Sequence, residues 1–305
     1  MRMPTIADLR AVFGERLQEN VTLAPYTSAR IGGPADALVV VKSADELADA
    51  VSQLWAMDAP YFILGGGSNV LVSDRGVRGV VVLNRAKAVR FETGERPKVR
   101  AESGVVFSNL ANRCASQGLS GLEWASAIPG TLGGAVYGNA GAFGGDVAGS
   151  LIETELLTGR GRETWTADQM EYGYRSSVLK RGAARAVILS AAFGLKNATA
   201  ADVSATIGQF VQRRKSTQPP GASMGSMFKN PPGDFAGRLV EAAGLKGARV
   251  GNAEISAVHG NFFVNHGETK EGDIRALIEL VQKKVKDEFG VMLELEIEMI
   301  GEWDA

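Results

Sequence analysis

The feature that most constrains this 305-residue chain is the segment at residues 128–145, which reads IPGTLGGAVYGNAGAFGG. Glycine lacks a Cβ atom, so it admits positive φ angles and close approach of other groups, at a cost of about 0.5–1 kcal/mol per residue inside regular structure. The segment is therefore too rich in glycine for an ordinary helix or strand. Apolar side chains recur among the glycines, whereas a flexible linker would have few. We predict a packed, rigid backbone cradle; the alternative is a tract of tight turns at a sheet corner.

A second glycine tract, Gly65-Gly66-Gly67, is followed by Ser68 and Asn69. It matches neither the G-x-G-x-x-G fingerprint nor the Walker A motif of nucleotide-binding proteins. Glycines just beyond a buried strand can nonetheless present a nest of N–H groups to an anion, and Ser68 and Asn69 add side-chain bonds to a pyrophosphate. A plain turn is the alternative.

Composition limits the classes of function. Apolar residues make up 45% of the chain, charged residues 22%, and the formal net charge is −1, so no positive field favours nucleic acid or an anionic membrane. A single cysteine, Cys114, excludes an intramolecular disulfide, and two histidines leave little for a metal site, so we predict none. No run approaches the roughly 18 apolar residues of a membrane span. We expect a cytoplasmic protein with small-molecule partners.

Strand and helix signals alternate in the first part of the chain. Residues 37–41 and 61–64 are typical of buried strands, and Ser43 with Glu46 forms a capping box for a helix of about four turns between them. Strand, helix and strand in this order predict a parallel pair with a right-handed crossover.

Periodicity predicts the remaining elements. Before the region rich in proline and glycine at residues 218–233, we expect a strand at 77–83, hairpins at 88–104 and 150–166, helices at 106–117 and 202–214 and a strand at 186–195. After it, we expect helices at 235–243 and 271–289, a strand near 261–264 and a final strand at 292–300. Cys114 lies on the apolar face of its helix and is expected in the core.

Together with GSMFKNP at residues 225–231, the two glycine tracts resemble the UDP-N-acetylenolpyruvoylglucosamine reductase family of flavoenzymes. The matching segments are residues 29–33, 64–72, 128–145, 172–176, 225–231, 255–265 and 293–301. The resemblance implies an α+β fold, with an FAD-binding half of two α/β subdomains, similar to vanillyl-alcohol-oxidase-type flavoenzymes, and a C-terminal α+β substrate domain. We place the three domains at residues 1–85, 86–200 and 201–305. The short spacing from Arg175 to Ser226 resembles the family's compact subtype, which lacks a substrate-capping tyrosine loop.

The resemblance also implies the activity. NADPH reduces non-covalently bound FAD, which passes a hydride to C3 of UDP-N-acetylglucosamine enolpyruvate and so produces UDP-N-acetylmuramate. The setting it implies is peptidoglycan synthesis, with roles in cell wall biogenesis, cell shape and cell division, and we expect a monomer. The FAD-contacting residues it implies are Arg30, Gly65, Gly66, Gly67, Ser68, Asn69, Ile128, Pro129, Gly130, Thr131, Gly133, Asn139, Ala140 and Gly141.

Three residues are candidates for the chemistry. Ser226 would give a proton to C2, because even a weakly acidic hydroxyl can protonate a strongly basic enolate carbon. Arg175 would hold the substrate carboxylate with its planar guanidinium group. The resemblance singles out Glu296, which we hypothesise to be protonated and to donate a hydrogen bond to the enolate.

Local sequence leaves simpler explanations open for each candidate. Ser226 is also explained as a turn serine, Arg175 as a surface or FAD-facing arginine, and Glu296 as part of a solvated strand face that it shares with Glu294 and Glu298. Tyr174, Lys229 and Asn230 are candidate substrate contacts. For Lys229 and Asn230, loop capping is the alternative. Basic residues 213–215 suit either a phosphate or the helix dipole, and we favour a structural role for His259.

Two competing functions remain. One is an oxidase with the same flavin fold, many of which tether FAD through histidine or cysteine; the candidates here are Cys114, His259 and His266. The other is a non-catalytic flavin or nucleotide-sugar binding module. The sequence also departs from the family's usual residues at Ala29, Met227 and Glu298, none of which is a reacting group.

Overall fold

A computed structural model of the chain describes residues 4–303, which divide into two compact units. The first unit comprises residues 4–16, 39–66 and 82–214, and the second comprises residues 17–38, 67–81 and 215–303. The three-domain division drawn from the sequence stays a prediction.

Both units contain helices and strands. In chain order they are α1 (Ile6–Phe13), β1 (Leu17–Thr22), β2 (Pro34–Val41), α2 (Ala44–Ala56), β3 (Tyr61–Leu64), β4 (Val70–Val72), β5 (Val77–Asn84), β6 (Val89–Glu92), β7 (Lys98–Glu102), α3 (Phe107–Ser116), β8 (Leu119–Ser120), α4 (Leu132–Gly138), β9 (Gly141–Ala142), β10 (Gly145–Asp146), α5 (Val147–Ser150), β11 (Leu151–Thr158), β12 (Gly161–Thr166), β13 (Ala186–Gly194), β14 (Lys196–Asn197), α6 (Ala200–Thr217), α7 (Ala236–Ala242), β15 (Arg249–Val250), β16 (Ala253–Ile255), β17 (Phe263–Asn265), α8 (Glu271–Phe289) and β18 (Glu298–Ile300). Short 3-10 helices lie at Gly14–Arg16, Ala24–Tyr26 and Glu123–Ala127.

The core of the first unit is built on a five-stranded sheet with the order β12-β11-β13-β7-β6, in which all neighbours are antiparallel. Aromatic side chains from α3, β13 and the 3-10 helix meet in this core. The ring of Phe107 packs edge-on against Trp124, with centroids 5.5 Å apart, and lies 5.6 Å from the ring of Phe193. This antiparallel sheet with separate helices confirms the α+β prediction.

The predicted pairing of residues 37–41 with residues 61–64 is wrong. These segments form β2 and β3, but the sheet has the order β1-β2-β5-β3, so β5 lies between them. Residues 80–83 of β5 are almost fully buried, as expected of a central strand. Local patterns gave the right strands but could not show which later strand would enter between them.

The helix between β2 and β3 is confirmed, with one difference at its cap. The Ser43 hydroxyl accepts a hydrogen bond from the N–H of Glu46, as predicted. In a capping box, the Glu46 carboxylate would accept a hydrogen bond from the N–H of Ser43. Here it accepts instead from the N–H of Lys42, at 2.8 Å. Ser43 therefore caps the first turn of α2, and Glu46 bonds to the residue before the cap.

The expectation that residues 128–145 form no helix is wrong in part, because α4 lies within them. Leu132, Ala135 and Val136 are buried on one face of α4, at the three- and four-residue spacing that places side chains together. Packing of this face offsets the helix-breaking tendency of the neighbouring glycines. The helix ends at Asn139, which adopts a left-handed conformation with φ of 48°.

The second unit holds α7, α8 and the antiparallel sheet β15-β16-β17. Helix α8 has the predicted bounds, and it ends at Gly290 with φ of 71°. Its apolar face is buried as expected except for Phe289, which is 37% exposed in the last turn.

The predicted final strand at residues 292–300 is divided. Leu295 bridges to Phe228 in antiparallel fashion, whereas Glu298–Ile300 forms β18 and pairs in parallel with β4. The chain changes its hydrogen-bonding partner between these two segments. A period-two pattern is common to both pairings, so the sequence did not reveal the change.

Within residues 4–303, no helix combines the length and apolar character needed to cross a membrane.

The buried position of Cys114 gives a direct test of α3. Its side chain is 1% exposed, and desolvation raises the pKa of the thiol to about 12. We predict that Ellman's reagent leaves the folded protein unmodified at about pH 8 and reacts fully once guanidinium chloride unfolds it. The chain has one cysteine, so the released chromophore reports this residue alone. Rapid labelling of the folded protein would contradict the packing of α3.

Candidate active site

The two glycine tracts meet within the first unit. A Cβ atom on Gly66 would stand 2.9 Å from the Cα atom of Gly130, and one on Gly65 would stand 2.2 Å from Oγ1 of Thr131. Contacts this short are not possible for a real Cβ atom, so the loop after β3 needs glycine to lie against the start of the 128–145 segment. The segment is packed, as predicted.

The loop after β3 presents donors that no protein oxygen uses. Across residues 4–303, the backbone N–H groups of Gly66 and Gly67 donate no hydrogen bond. Gly67 has φ of 59°, and its carbonyl accepts from the N–H of Ser28 at 2.9 Å. Successive N–H groups in a turn that includes a left-handed residue bind anions. The loop therefore fits the diphosphate of the FAD that the resemblance implies.

Several other predicted FAD contacts have their backbone groups bonded to protein. The N–H of Gly133 donates to Ser103 at 2.8 Å, and that of Ala140 donates to Ala135 at 2.9 Å. Ile128 donates to the carbonyl of Ala125 at 3.0 Å. These bonds fix the course of the segment. In the second unit, Arg30 is exposed and adopts φ of 56°.

Asn139 joins the glycine segment to the turn before Arg175. Its Nδ2 donates to the Gly173 carbonyl at 2.9 Å, and its Oδ1 accepts from the N–H of Ala148 at 3.0 Å. The residue is buried. A side chain predicted to contact FAD thus bonds to the protein backbone at both of its polar atoms.

Arg175 lies against the glycine segment. Its Nη2 donates to the Gly141 carbonyl at 2.9 Å, and its guanidinium group stacks over the Tyr174 ring, 5.2 Å from the centroid. Its φ is 52°, a left-handed conformation that costs a residue with a Cβ atom roughly 1–2 kcal/mol. The turn is closed by two hydrogen bonds between Gly173 and Ser176. This contact fits the FAD-facing alternative as well as the substrate role.

Tyr172 carries no sequence signal of its own beyond its place in the 172–176 segment. Its hydroxyl oxygen is buried and, within the part of the chain that the structure describes, has no hydrogen-bond partner. Burial, with a smaller contribution from Asp146, raises the pKa of this phenol, so it stays a donor. An unsatisfied buried donor fits a ligand that supplies an acceptor.

Helix α6 supports the glycine segment from one side. The rings of Phe210 and Phe143 stack with centroids 4.5 Å apart and an interplanar angle of 7°. The Arg214 guanidinium group donates to the carbonyl of Ala127, and burial lowers its pKa. Arg214 is one of the basic residues 213–215, for which the sequence suggests either phosphate binding or an interaction with the helix dipole. In the structure it bonds to the backbone just before the 128–145 segment.

In the second unit, Ser226 and Glu296 lie on paired segments. The N–H of Glu296 donates to the carbonyl of Met227 at 2.8 Å, and the next pair along, Phe228 and Leu295, forms a bridge. The structure thus brings the backbone of Glu296 beside the residue that follows Ser226. Arg175 belongs to the first unit, and its convergence with these two residues stays a prediction.

Asn261 holds the segment after Ser226 and was not singled out by sequence. Its Oδ1 accepts from the N–H of Phe228 at 2.9 Å, its Nδ2 donates to the Phe228 carbonyl at 2.8 Å, and its own carbonyl accepts from Met227. His259 Nδ1 in turn accepts from the N–H of Asn261 at 3.2 Å, and burial lowers the histidine pKa. These contacts fit the structural role favoured for His259.

The proposed substrate contacts have protein partners. Lys229 Nζ lies 3.2 Å from the Glu294 carboxylate. Asn230 Oδ1 accepts from the N–H of Ala236 at 3.1 Å, at the start of α7, which fits the loop-capping alternative. Tyr174 is 54% exposed.

Comparisons with known proteins identify the family. The FAD binding domain family matches residues 35–167, and the family described as UDP-N-acetylenolpyruvoylglucosamine reductase, C-terminal domain, matches residues 212–300. The UDP-N-acetylenolpyruvoylglucosamine reductase of Chloroflexus aggregans is 44% identical over 93% of this chain and 97% of its own length. That of Bacillus pumilus is 40% identical over 96% of this chain and 97% of its own length.

The crystal structure of UDP-N-acetylenolpyruvylglucosamine reductase from Thermus caldophilus is similar to this structure, with a TM-score of 0.77 and 35% identity. The match covers 93% of this chain and 99% of that one. The resemblance drawn from the sequence is confirmed. This chain belongs to the UDP-N-acetylenolpyruvoylglucosamine reductase family, the FAD-dependent oxidoreductases of peptidoglycan precursor synthesis.

Proposed function

We propose that the protein reduces UDP-N-acetylglucosamine enolpyruvate to UDP-N-acetylmuramate, with NADPH as the reductant. The observation that supports this most is the pairing of the Ser226 and Glu296 segments, through the 2.8 Å bond from Glu296 N–H to the Met227 carbonyl. It brings the backbone of one candidate residue beside the residue that follows the other. Membership of the family supports the chemical roles that we propose for Ser226 and Glu296.

The chain's own residues bind and orient FAD. When bound, FAD supplies the hydride that C3 of the enolpyruvyl group receives and accepts a hydride from NADPH. The N–H groups of Gly66 and Gly67 hold its diphosphate, and the 128–145 segment lies beside them through the contact of Gly66 with Gly130.

Ser226 donates a proton to C2 of the substrate. Addition of hydride at C3 places negative charge on C2 and on the adjacent carboxylate, and a carbon base of this kind accepts a proton from a hydroxyl. Arg175 binds the carboxylate, whose charge grows in this step; the bond to Gly141 fixes the plane of its guanidinium group. Glu296, in its protonated form, donates a hydrogen bond to the same enolate.

We further propose that Tyr174, Lys229 and Asn230 contact the UDP-sugar portion. Lys229 would exchange its ion pair with Glu294, which is on the surface and so weak, for a phosphate group. We place the reaction in the cytoplasm and propose that the protein acts as a monomer on small molecules.

A covalent flavin would favour the oxidase alternative, and the structure offers poor attachment points. Cys114 is 1% exposed, His259 Nδ1 already accepts a backbone hydrogen bond, and His266 Nε2 lies 2.9 Å from the Glu254 carboxylate. We predict that denaturation releases all of the FAD, as measured by flavin absorbance in the supernatant after the protein is precipitated. Flavin retained by the pellet would contradict the proposal and favour the oxidase.

Replacement of Gly66 tests the cradle. In Gly66→Ala the new methyl group would meet Gly130 at 2.9 Å, so the loop must shift, with an overpacking cost of about 1–3 kcal/mol. We predict FAD affinity about 10- to 100-fold weaker, measured by quenching of flavin fluorescence. Gly208→Ala is the matched control, because nothing lies within 4 Å of its Cβ position in α6, and it should bind FAD normally. Equal FAD affinities in both variants would contradict the cradle.

Replacement of Ser226 separates binding from chemistry. Ser226→Ala should keep FAD and be reduced by NADPH at the normal rate, but its reoxidation by the enolpyruvyl substrate should fall about 100- to 10,000-fold, because the proton donor is lost. Anaerobic stopped-flow absorbance measures the two half-reactions separately. Ser223→Ala, three residues earlier, serves as the control. Reoxidation of Ser226→Ala at the wild-type rate would exclude Ser226 as the donor.

A further inference from the structure

We propose that Asn69 is a positioning residue for Glu296, fixing the backbone of Glu296 and thereby the place of its carboxyl group during proton delivery. This inference rests on the role proposed above for Glu296. Asn69 thereby belongs to the oxidative half-reaction, whereas the resemblance implies that it contacts FAD.

Glu296 lies where the C-terminal chain changes partner, and its two backbone groups bond in different directions. The N–H donates to the Met227 carbonyl at 2.8 Å, beside Ser226. The carbonyl accepts from Nδ2 of Asn69 at 3.1 Å. Glu296 is therefore held between the segment of the proposed proton donor and the end of the glycine loop.

The parallel ladder between β4 and β18 explains why a side chain makes the second bond. Its bonds run from Glu298 N–H to the Asn69 carbonyl, at 2.9 Å, and from Ser73 N–H to the Ile300 carbonyl, at 3.0 Å. One step earlier, a regular ladder would have the backbone N–H of residue 69 donate to Glu296. The side-chain amide of Asn69 replaces this backbone donor. The backbone can therefore leave the ladder for the loop after β3 while the Glu296 carbonyl keeps a hydrogen bond.

The chemistry of this contact selects asparagine. A carbonyl oxygen needs a donor, and Nδ2 of an amide is one, whereas an aspartate of the same shape would place a carboxylate oxygen against the carbonyl. Nδ2 has two N–H groups, and the Glu296 carbonyl accepts from one of them. This bond fixes the backbone of Glu296, and we therefore assign the Asn69 side chain to the orientation of the carboxyl group.

A matched contact lies farther along the same strand pair. Ser73 Oγ donates to the carbonyl of Glu302 at 2.5 Å. Asn69 and Ser73 flank β4 and both bond to the backbone of the C-terminal segment, but only Asn69 bonds at Glu296. Removal of the Ser73 contact therefore measures how much general anchoring of the C-terminal segment contributes to the rates of the two half-reactions.

The test compares FAD content and the two anaerobic half-reactions in Asn69→Ala, Asn69→Asp, Ser73→Ala, Glu296→Ala and the double variant Asn69→Ala/Glu296→Ala. We expect both Asn69 variants to keep FAD and normal reduction by NADPH, and to be reoxidised by the enolpyruvyl substrate about 10- to 100-fold more slowly, because a small misplacement of a reacting group costs this much. Ser73→Ala should stay within about twofold of wild type in both half-reactions.

The double variant separates positioning from a general structural role. Once the Glu296 carboxyl group is gone, Asn69→Ala should slow reoxidation by less than about twofold further. Independent, multiplying effects would overturn the proposal, as would normal reoxidation of both Asn69 variants or loss of FAD from both. If Glu296→Ala is reoxidised at the wild-type rate, the role proposed for Glu296 fails and this inference fails with it. If Glu296→Ala is slow while the Asn69 variants are normal, this inference alone fails.

Discussion

The approach of one backbone to another, Gly66 to Gly130, is the contact on which the candidate FAD site depends. A Cβ atom at either Gly65 or Gly66 would collide with the start of the 128–145 segment, so the two tracts can be adjacent only because these side chains are absent. Among residues 4–303, no protein acceptor bonds to the N–H groups of Gly66 and Gly67. A glycine sequence that is unfavourable in regular structure thus forms a closely packed turn whose N–H groups suit the proposed diphosphate.

Asparagine side chains hold the backbone around the candidate residues in both units. Asn139 bonds to the turn before Arg175, Asn261 bonds to both polar groups of Phe228, and Asn69 bonds to the carbonyl of Glu296. An amide can donate and accept at once, which lets one side chain satisfy irregular backbone that has left a helix or sheet. The backbone at the candidate residues thus keeps a defined position although the chain around them is not regular.

The sequence predicted what is local. The bounds of α8 and β3 followed from periodicity and capping, and the chain-wide resemblance identified the family and selected Arg175, Ser226 and Glu296. Prediction from local sequence was wrong where contacts between distant segments decide the structure. β5 enters between β2 and β3, the last strand changes partner, and packing stabilises α4 despite its glycines. The contact of Asn69 with Glu296 was also hidden, because nothing local distinguishes an amide that binds backbone from one that binds a ligand.

The most direct test of the central claim is the visible spectrum of the purified protein during anaerobic titration, first with NADPH and then with UDP-N-acetylglucosamine enolpyruvate. A protein that holds flavin and passes its hydride to this substrate should show an oxidised flavin spectrum that NADPH bleaches and that the enolpyruvyl substrate restores mole for mole. A folded, colourless protein that takes up no FAD, or a bleached flavin that the substrate fails to reoxidise, would contradict it.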